Sequence, residues 1–156
     1  MSEQDERELV IKEALEWERT PYHHLGRVKG AGCDCLTFLA GVFENCKLLP
    51  RIEVPHYAMQ WHLNQKAELY KEGLLKYTKQ IDGPRRAAIA LWKVGHTFSH
   101  GAIIIEWPMV IHSFIRSGVV MCDVSTARGL SFISERGPDQ GKPRPVEFYD
   151  FWEAKK

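Results

Sequence analysis

The chain has 156 residues, with 21 lysines and arginines against 20 aspartates and glutamates, a net charge of +1, and 44% hydrophobic residues. That length carries one core of ordinary size, so a single domain over residues 1–156 is expected, and the composition excludes a disordered chain. The even charge balance argues against a nucleic-acid binder, and the most apolar run, Gly101 to Ile105, is far shorter than the roughly 20 residues of a membrane span.

The start, Met1-Ser2-Glu3-Gln4-Asp5-Glu6, lacks the basic and apolar regions of a secretory leader, so synthesis in the cytoplasm without a signal peptide is expected. From about Glu6 to Glu18, Leu9, Val10, Ile11, Ala14, Leu15 and Trp17 mark the apolar face of a helix that ends at Thr20-Pro21. A loop with Gly26, Gly30 and Gly32 follows. Asp34, a good N-cap type, then precedes a second helical run to about Cys46, with Leu36, Leu39, Ala40 and Phe43 on one face. The recurrence of Met59, Leu63, Tyr70, Leu74 and Tyr77 predicts a long helix from about Tyr57 to Lys79.

After the turn Asp82-Gly83-Pro84 the pattern changes to short apolar runs: Ala87 to Trp92, Gly101 to Ile105, Met109 to His112, Gly118 to Cys122 and Val146 to Tyr149. Glu106-Trp107-Pro108 reads as a hairpin link. Helices first and strands second, without alternation, predict an α+β fold with N-terminal helices on a small antiparallel sheet.

Four cysteines, Cys33, Cys35, Cys46 and Cys122, are too few for a disulfide framework in a chain this long. Cys35 falls in the first turn of the second helix, where free backbone N–H groups and the positive end of the helix dipole stabilise a thiolate. The same N–H groups can receive the oxyanion of an acyl intermediate. A thiol nucleophile needs a base, and His100 stands at the start of a predicted strand. His112 lies twelve positions later on the next strand, an even spacing that puts both imidazoles on one face of a hairpin. His112 can then orient His100. A zinc site from Cys33, Cys35, Cys46 and a histidine is a weaker alternative, because structural zinc sites favour wider cysteine spacings than C-x-C.

Thr20-Pro21-Tyr22, Gly32-Cys33-Asp34-Cys35-Leu36-Thr37, Ser99-His100-Gly101 and Ile111-His112-Ser113 together resemble the motifs of the NlpC-type cell-wall peptidases, which are small papain-like cysteine peptidases. Thr-Pro-Tyr before a basic, Gly-rich loop, and a helical insert over about residues 56–80, resemble the phage tail branch of that family. The resemblance covers about Glu13 to Val124. It implies Cys35 as nucleophile, His100 as general base, His112 as orienting residue, Tyr22 as an oxyanion-hole hydroxyl and Asp34 as a group facing the substrate amine. It also implies a peptidoglycan stem peptide as substrate, phage tail-tip proteins as partners, a place in the virion tail, and neither cofactor nor metal. Leu36-Thr37 stands where the family has Ser-Gly, and Arg86-Ala87-Ala88 where it has Pro-Gly-Asp. Two other readings stay open: a tail-tip docking module without activity, and an acyltransferase or amidase on a non-wall substrate.

Overall fold

Ser2 caps the first helix, α1 (Glu3–Glu16): its hydroxyl accepts from the Asp5 amide at 3.1 Å, and the Asp5 carboxylate accepts from the Ser2 amide at 3.0 Å. This reciprocal cap starts the helix about a turn before its apolar face does. A computed structural model describes residues 1–54, 57, 68–126 and 132–156. In it, Val10, Ile11 and Ala14 of α1 turn inward, and Trp17 follows them into the core from the C-cap.

A short hairpin, β1 (Arg27–Val28) with β2 (Gly32–Cys33), leads into α2 (Cys35–Asn45). The helix begins and ends where its sequence pattern does, capped by Asp34 and Cys46. Its face Phe38, Leu39, Val42 and Phe43 is buried. Gly41 lets α1 and α2 meet, since a Cβ there would stand 2.6 Å from the Trp17 ring. Trp17 also meets Phe38 edge-on, with ring centroids 5.8 Å apart.

The next described helix, α3 (Leu69–Leu75), is short, and Lys79 already belongs to strand β3 (Lys79–Ile81). The predicted helix to Lys79 is therefore too long at its C-terminal end. Tyr77 and Lys79 lie beyond α3, and pairing with a strand from the far end of the chain overrides the helical periodicity there. Met59 and Leu63, which began that prediction, lie outside the described residues.

Five further strands follow: β4 (Ile89–Val94), β5 (Thr97–Glu106), β6 (Met109–Phe114), β7 (Gly118–Asp123) and β8 (Val146–Asp150). They form one antiparallel sheet with β3, in the order β3-β8-β4-β5-β6-β7. Trp107-Pro108 joins β5 to β6 through a cis peptide bond. Period-two alternation divides the sheet's residues. Leu91, Ile103, Ile111 and Tyr149 pack with α1 and α2, while Ala90, Trp92, Ala102, Ile104 and Val110 form a second cluster with Phe132. The α+β expectation therefore holds, with helices on one face and an aromatic-rich layer on the other.

One buried ion pair joins the two ends of the chain. Arg7 on α1 donates to Asp150 on β8 at 2.8 Å and to the Arg86 carbonyl at 2.7 Å. Its guanidinium also lies over the Trp152 ring at 4.1 Å.

Candidate active site

Asp34 fixes the Cys35 end of the site. It is buried, and its Oδ1 accepts from the Leu36 and Thr37 amides at 3.0 and 2.9 Å, closing the first turn of α2. Its Oδ2 accepts from the Leu25 amide at 2.9 Å and from the Tyr57 hydroxyl at 2.5 Å. His24 stands beside the same oxygen, with its Nδ1 at 3.7 Å. One carboxylate thus ties the loop, the helix and Tyr57 together. Cys35 is the first residue of α2, half-buried, with its Sγ 3.7 Å from the Ser99 carbonyl oxygen.

A β-bulge shapes the opposite wall. Trp92 pairs with His100 but Lys93 with Phe98, so Ser99 is an extra residue in β5. A bulge bends the strand and re-aims its neighbours; here it turns the Ser99 carbonyl toward Cys35. His100 lies immediately after it. The register that pairs Ile103 with Ile111 sets His100 and His112 in diagonal positions, with the small Ala102 between them. Their rings meet at 89°, and His100 Nε2 lies 2.8 Å from His112 Nδ1. Phe132 covers both imidazoles, with centroids at 5.9 and 5.0 Å.

Tyr22, Asp34, Cys35, Ser99 and His100 line one cavity of about 600 Å3. Its deeper wall is apolar, formed by Leu39, Phe43, Leu74 and Phe151. His112 stands behind His100 and is fully buried. The fold therefore assembles Cys35, His100, Tyr22 and Asp34 on one cavity and holds His112 against His100. The adjacent His23 and His24 diverge: His24 lines the cavity while His23 is exposed.

Burial is the largest influence on the titratable groups of the site. Burial, and then the Asp34 carboxylate, push the Cys35 thiol up to about 12. The backbone N–H groups of Gly101 and Cys35 and the Tyr70 hydroxyl act in the opposite sense, favouring the thiolate. Burial pushes His112 down to about 4, so its ring is neutral near pH 7. Burial raises the Tyr22 phenol, with smaller contributions from the Cys35 and Asp34 charges, so that hydroxyl stays a donor.

The sequence reading missed two members of this cavity. Tyr70 on α3 donates from its hydroxyl to the Cys35 carbonyl at 3.2 Å, and Tyr57 binds Asp34. Tyr70 lay in an apolar periodicity that reads as core, Tyr57 only marked the start of the predicted helix, and no short-range signal marks their hydroxyls. The alternative zinc ligands do not converge. Cys35 and Cys46 stand at opposite ends of α2, about 16 Å apart by helical rise. Cys33 turns toward Ser113, and Cys46 toward the Leu9 carbonyl. Among the described residues no cluster of three or more histidines, cysteines and carboxylates is placed to hold a metal ion. No described helix is long and apolar enough to cross a membrane.

No family model matches the chain, and no curated protein matches it in sequence. Its fold is nevertheless present among solved structures. The NlpC/p60 domain of the peptidoglycan hydrolase SagA superposes with a TM-score of 0.54 at 16% identity, over 76% of this chain and 90% of that one. A Staphylococcus aureus protein similar to lipoprotein, of the NLP/P60 family, superposes with a TM-score of 0.56 at 18% identity, over 81% of this chain and 38% of that one. The chain therefore has the fold of NlpC/p60 domains.

Proposed function

We propose that this chain is a cysteine peptidase that hydrolyses amide bonds of peptidoglycan stem peptides. The observation that carries the reading is the shared cavity: a thiol at a helix N-terminus and a histidine on the facing strand line it, and that histidine is held at 2.8 Å by a second, buried one. The fold neighbours, one of which is a peptidoglycan hydrolase, supply the substrate class.

The raised Cys35 thiol favours a protonated resting cysteine over a preformed thiolate. The thiol is held protonated by burial and by Asp34, so the thiolate forms when His100 takes its proton. His112 is neutral, and its Nδ1 faces His100 Nε2. With the His100 proton on Nε2 and donated to His112 Nδ1, Nδ1 is the basic nitrogen of His100, and His112 carries its own proton on Nε2. That tautomer makes His112 an orienting group, which accepts one hydrogen bond and takes no charge. Cys35 Sγ then bonds to the carbonyl carbon of the substrate amide. The oxyanion is received by the Cys35 backbone N–H, with the Tyr22 hydroxyl as second donor. The C–N bond breaks as His100 returns its proton to the leaving amine. Water attacks the thioester and releases the acid, restoring thiol and imidazole.

Asp34 keeps the role of cap and hub, because its oxygens are taken by backbone amides and Tyr57. The phage-tail assignment rests on Thr20-Pro21-Tyr22 and the basic loop after it. A second reading, amide or acyl transfer on a non-wall substrate with an apolar acyl group, is favoured by the apolar inner wall of Leu39, Phe43, Leu74 and Phe151.

The test is incubation of the chain with stem peptides joining D-glutamate to a diamino acid, read by mass spectrometry of the products. Cleavage by wild type and none by a folded Cys35→Ala is expected. Equal cleavage by both proteins, or cleavage of acyl amides with an apolar acyl group and no cleavage of stem peptides, overturns the reading.

A further inference from the structure

Tyr70 bonds to the residue proposed as nucleophile, and neither the motif resemblance nor the fold accounts for it. It is almost fully buried although it carries a hydroxyl, and it comes from α3, outside the two elements that bear Cys35 and His100. Its hydroxyl donates to the Cys35 carbonyl at 3.2 Å, and its influence on the Cys35 thiol is to favour the thiolate. On its other side stands Gly101, immediately after His100. A Cβ at Gly101 would lie 2.4 Å from the Tyr70 oxygen, so only glycine admits the hydroxyl at this point. The Gly101 backbone N–H acts on the thiol in the same sense. The hydroxyl is thus wedged between the residue after the base and the nucleophile itself.

We infer that Tyr70 is a catalytic residue that transfers its hydrogen bond from the Cys35 carbonyl to the Cys35 sulfur when the thiolate forms, and so holds the nucleophile in its charged state. No covalent bond changes in this step. The phenol keeps its proton and turns its O–H by rotation about the C–O bond, while the thiol proton resides on His100. Burial keeps the phenol protonated at every working pH, so it serves only as a donor. The need for such a donor follows from the site: the Asp34 carboxylate beside the sulfur opposes its charge, and among the described residues Tyr70 is the one side chain, beside the Gly101 and Cys35 backbone N–H groups, that favours it. This inference rests on the Cys35–His100 reading above, since it assigns a donor to the thiolate that reading requires.

The experiment is the rate of Cys35 alkylation by iodoacetamide across pH 6 to 9, with the modified cysteine located by peptide mass spectrometry. It compares wild type, Tyr70→Phe and His100→Ala, and the stem-peptide kcat and KM are measured alongside. A hydrogen bond to a charged group contributes roughly 1.5–3 kcal/mol, so Tyr70→Phe is expected to slow alkylation at a given pH by about tenfold or more. It should lower kcat by a similar factor with KM within about twofold. A merely structural role would lower thermal stability and leave the alkylation rate as in wild type, and that result overturns the inference. If His100→Ala slows alkylation while Tyr70→Phe does not, the nucleophile–base pair stands and Tyr70 alone is displaced. If His100→Ala leaves the rate unchanged, the pair fails and the role of Tyr70 fails with it. Should Tyr70→Phe not fold, fluorotyrosine at position 70 keeps the packing and strengthens the donor. Faster alkylation then supports the inference, and an unchanged rate overturns it.

Discussion

Cys35 and His112 stand on opposite sides of one site, and the groups that hold them differ in kind. Beneath Cys35, Asp34 occupies both of its oxygens, with the Leu36 and Thr37 amides on one and the Leu25 amide and Tyr57 hydroxyl on the other. His112 is fully buried and makes one side-chain hydrogen bond, to His100, and its Nε2 has no partner among the described residues. A nucleophile needs its helix end fixed to a fraction of an ångström, and several local bonds do that. An orienting imidazole needs one contact and a dry setting that keeps it neutral. The cost of that economy is a buried ring nitrogen without a hydrogen-bond partner among the described residues, which destabilises the fold.

The contrast can be broken from its strongest point to its weakest. Cys35→Ala removes the proposed nucleophile and leaves the cap intact. Stem-peptide hydrolysis should fall by about 1,000-fold or more with the melting temperature nearly unchanged, as activity assays and calorimetry would show. His112→Ala frees the His100 ring to turn, so kcat should fall about 100-fold while KM holds; an unchanged kcat would remove His112 from the mechanism. Asp34→Ala strikes the fold instead. It deletes a cap that contributes about 1 kcal/mol and strands buried donors at a further 1–3 kcal/mol, so urea denaturation should show a loss of about 3 kcal/mol.

Acid sharpens the comparison from the histidine side. His112 is held at about 4 in the fold against 6.5 when unfolded, so the unfolded chain binds more protons between those values. Stability from this group is therefore complete above about pH 6.5 and falls as the pH drops toward 4, by at most about 3 kcal/mol. His112→Gln should flatten that dependence in melts at pH 7 and pH 4. The smallest effect belongs to the surface: Lys29 bridges Glu13 and Glu16 at 2.9 Å, and Lys29→Ala should cost under about 1 kcal/mol.

Asp34-Cys35 ahead of an apolar helical run located the helix start that carries Cys35 because capping and helical periodicity are local effects, written in consecutive residues. The even spacing of His100 and His112 set both on one sheet face for the same reason, since strand alternation is local. Residues 69–81 show the limit. Tyr70, Leu74 and Tyr77 carry a helical spacing, yet the chain leaves the helix after Leu75 and Lys79 to Ile81 pair with β8. Ladder bonds to a strand almost seventy residues away outweigh a weak local preference there.

The sequence by itself thus determined the order of helices and strands, the cap that presents Cys35, and the common face of the two histidines. Each follows from a repeat or a neighbour within a few positions. Tertiary structure alone decided the bulge at Ser99 that turns a carbonyl toward the thiol, the fit of the Tyr70 hydroxyl over Gly101, and the closure of Tyr57 on Asp34. These join residues 20 to 40 positions apart, or depend on register between strands. Their energies come from burial and hydrogen-bond geometry that exist only once the sheet and helices have packed.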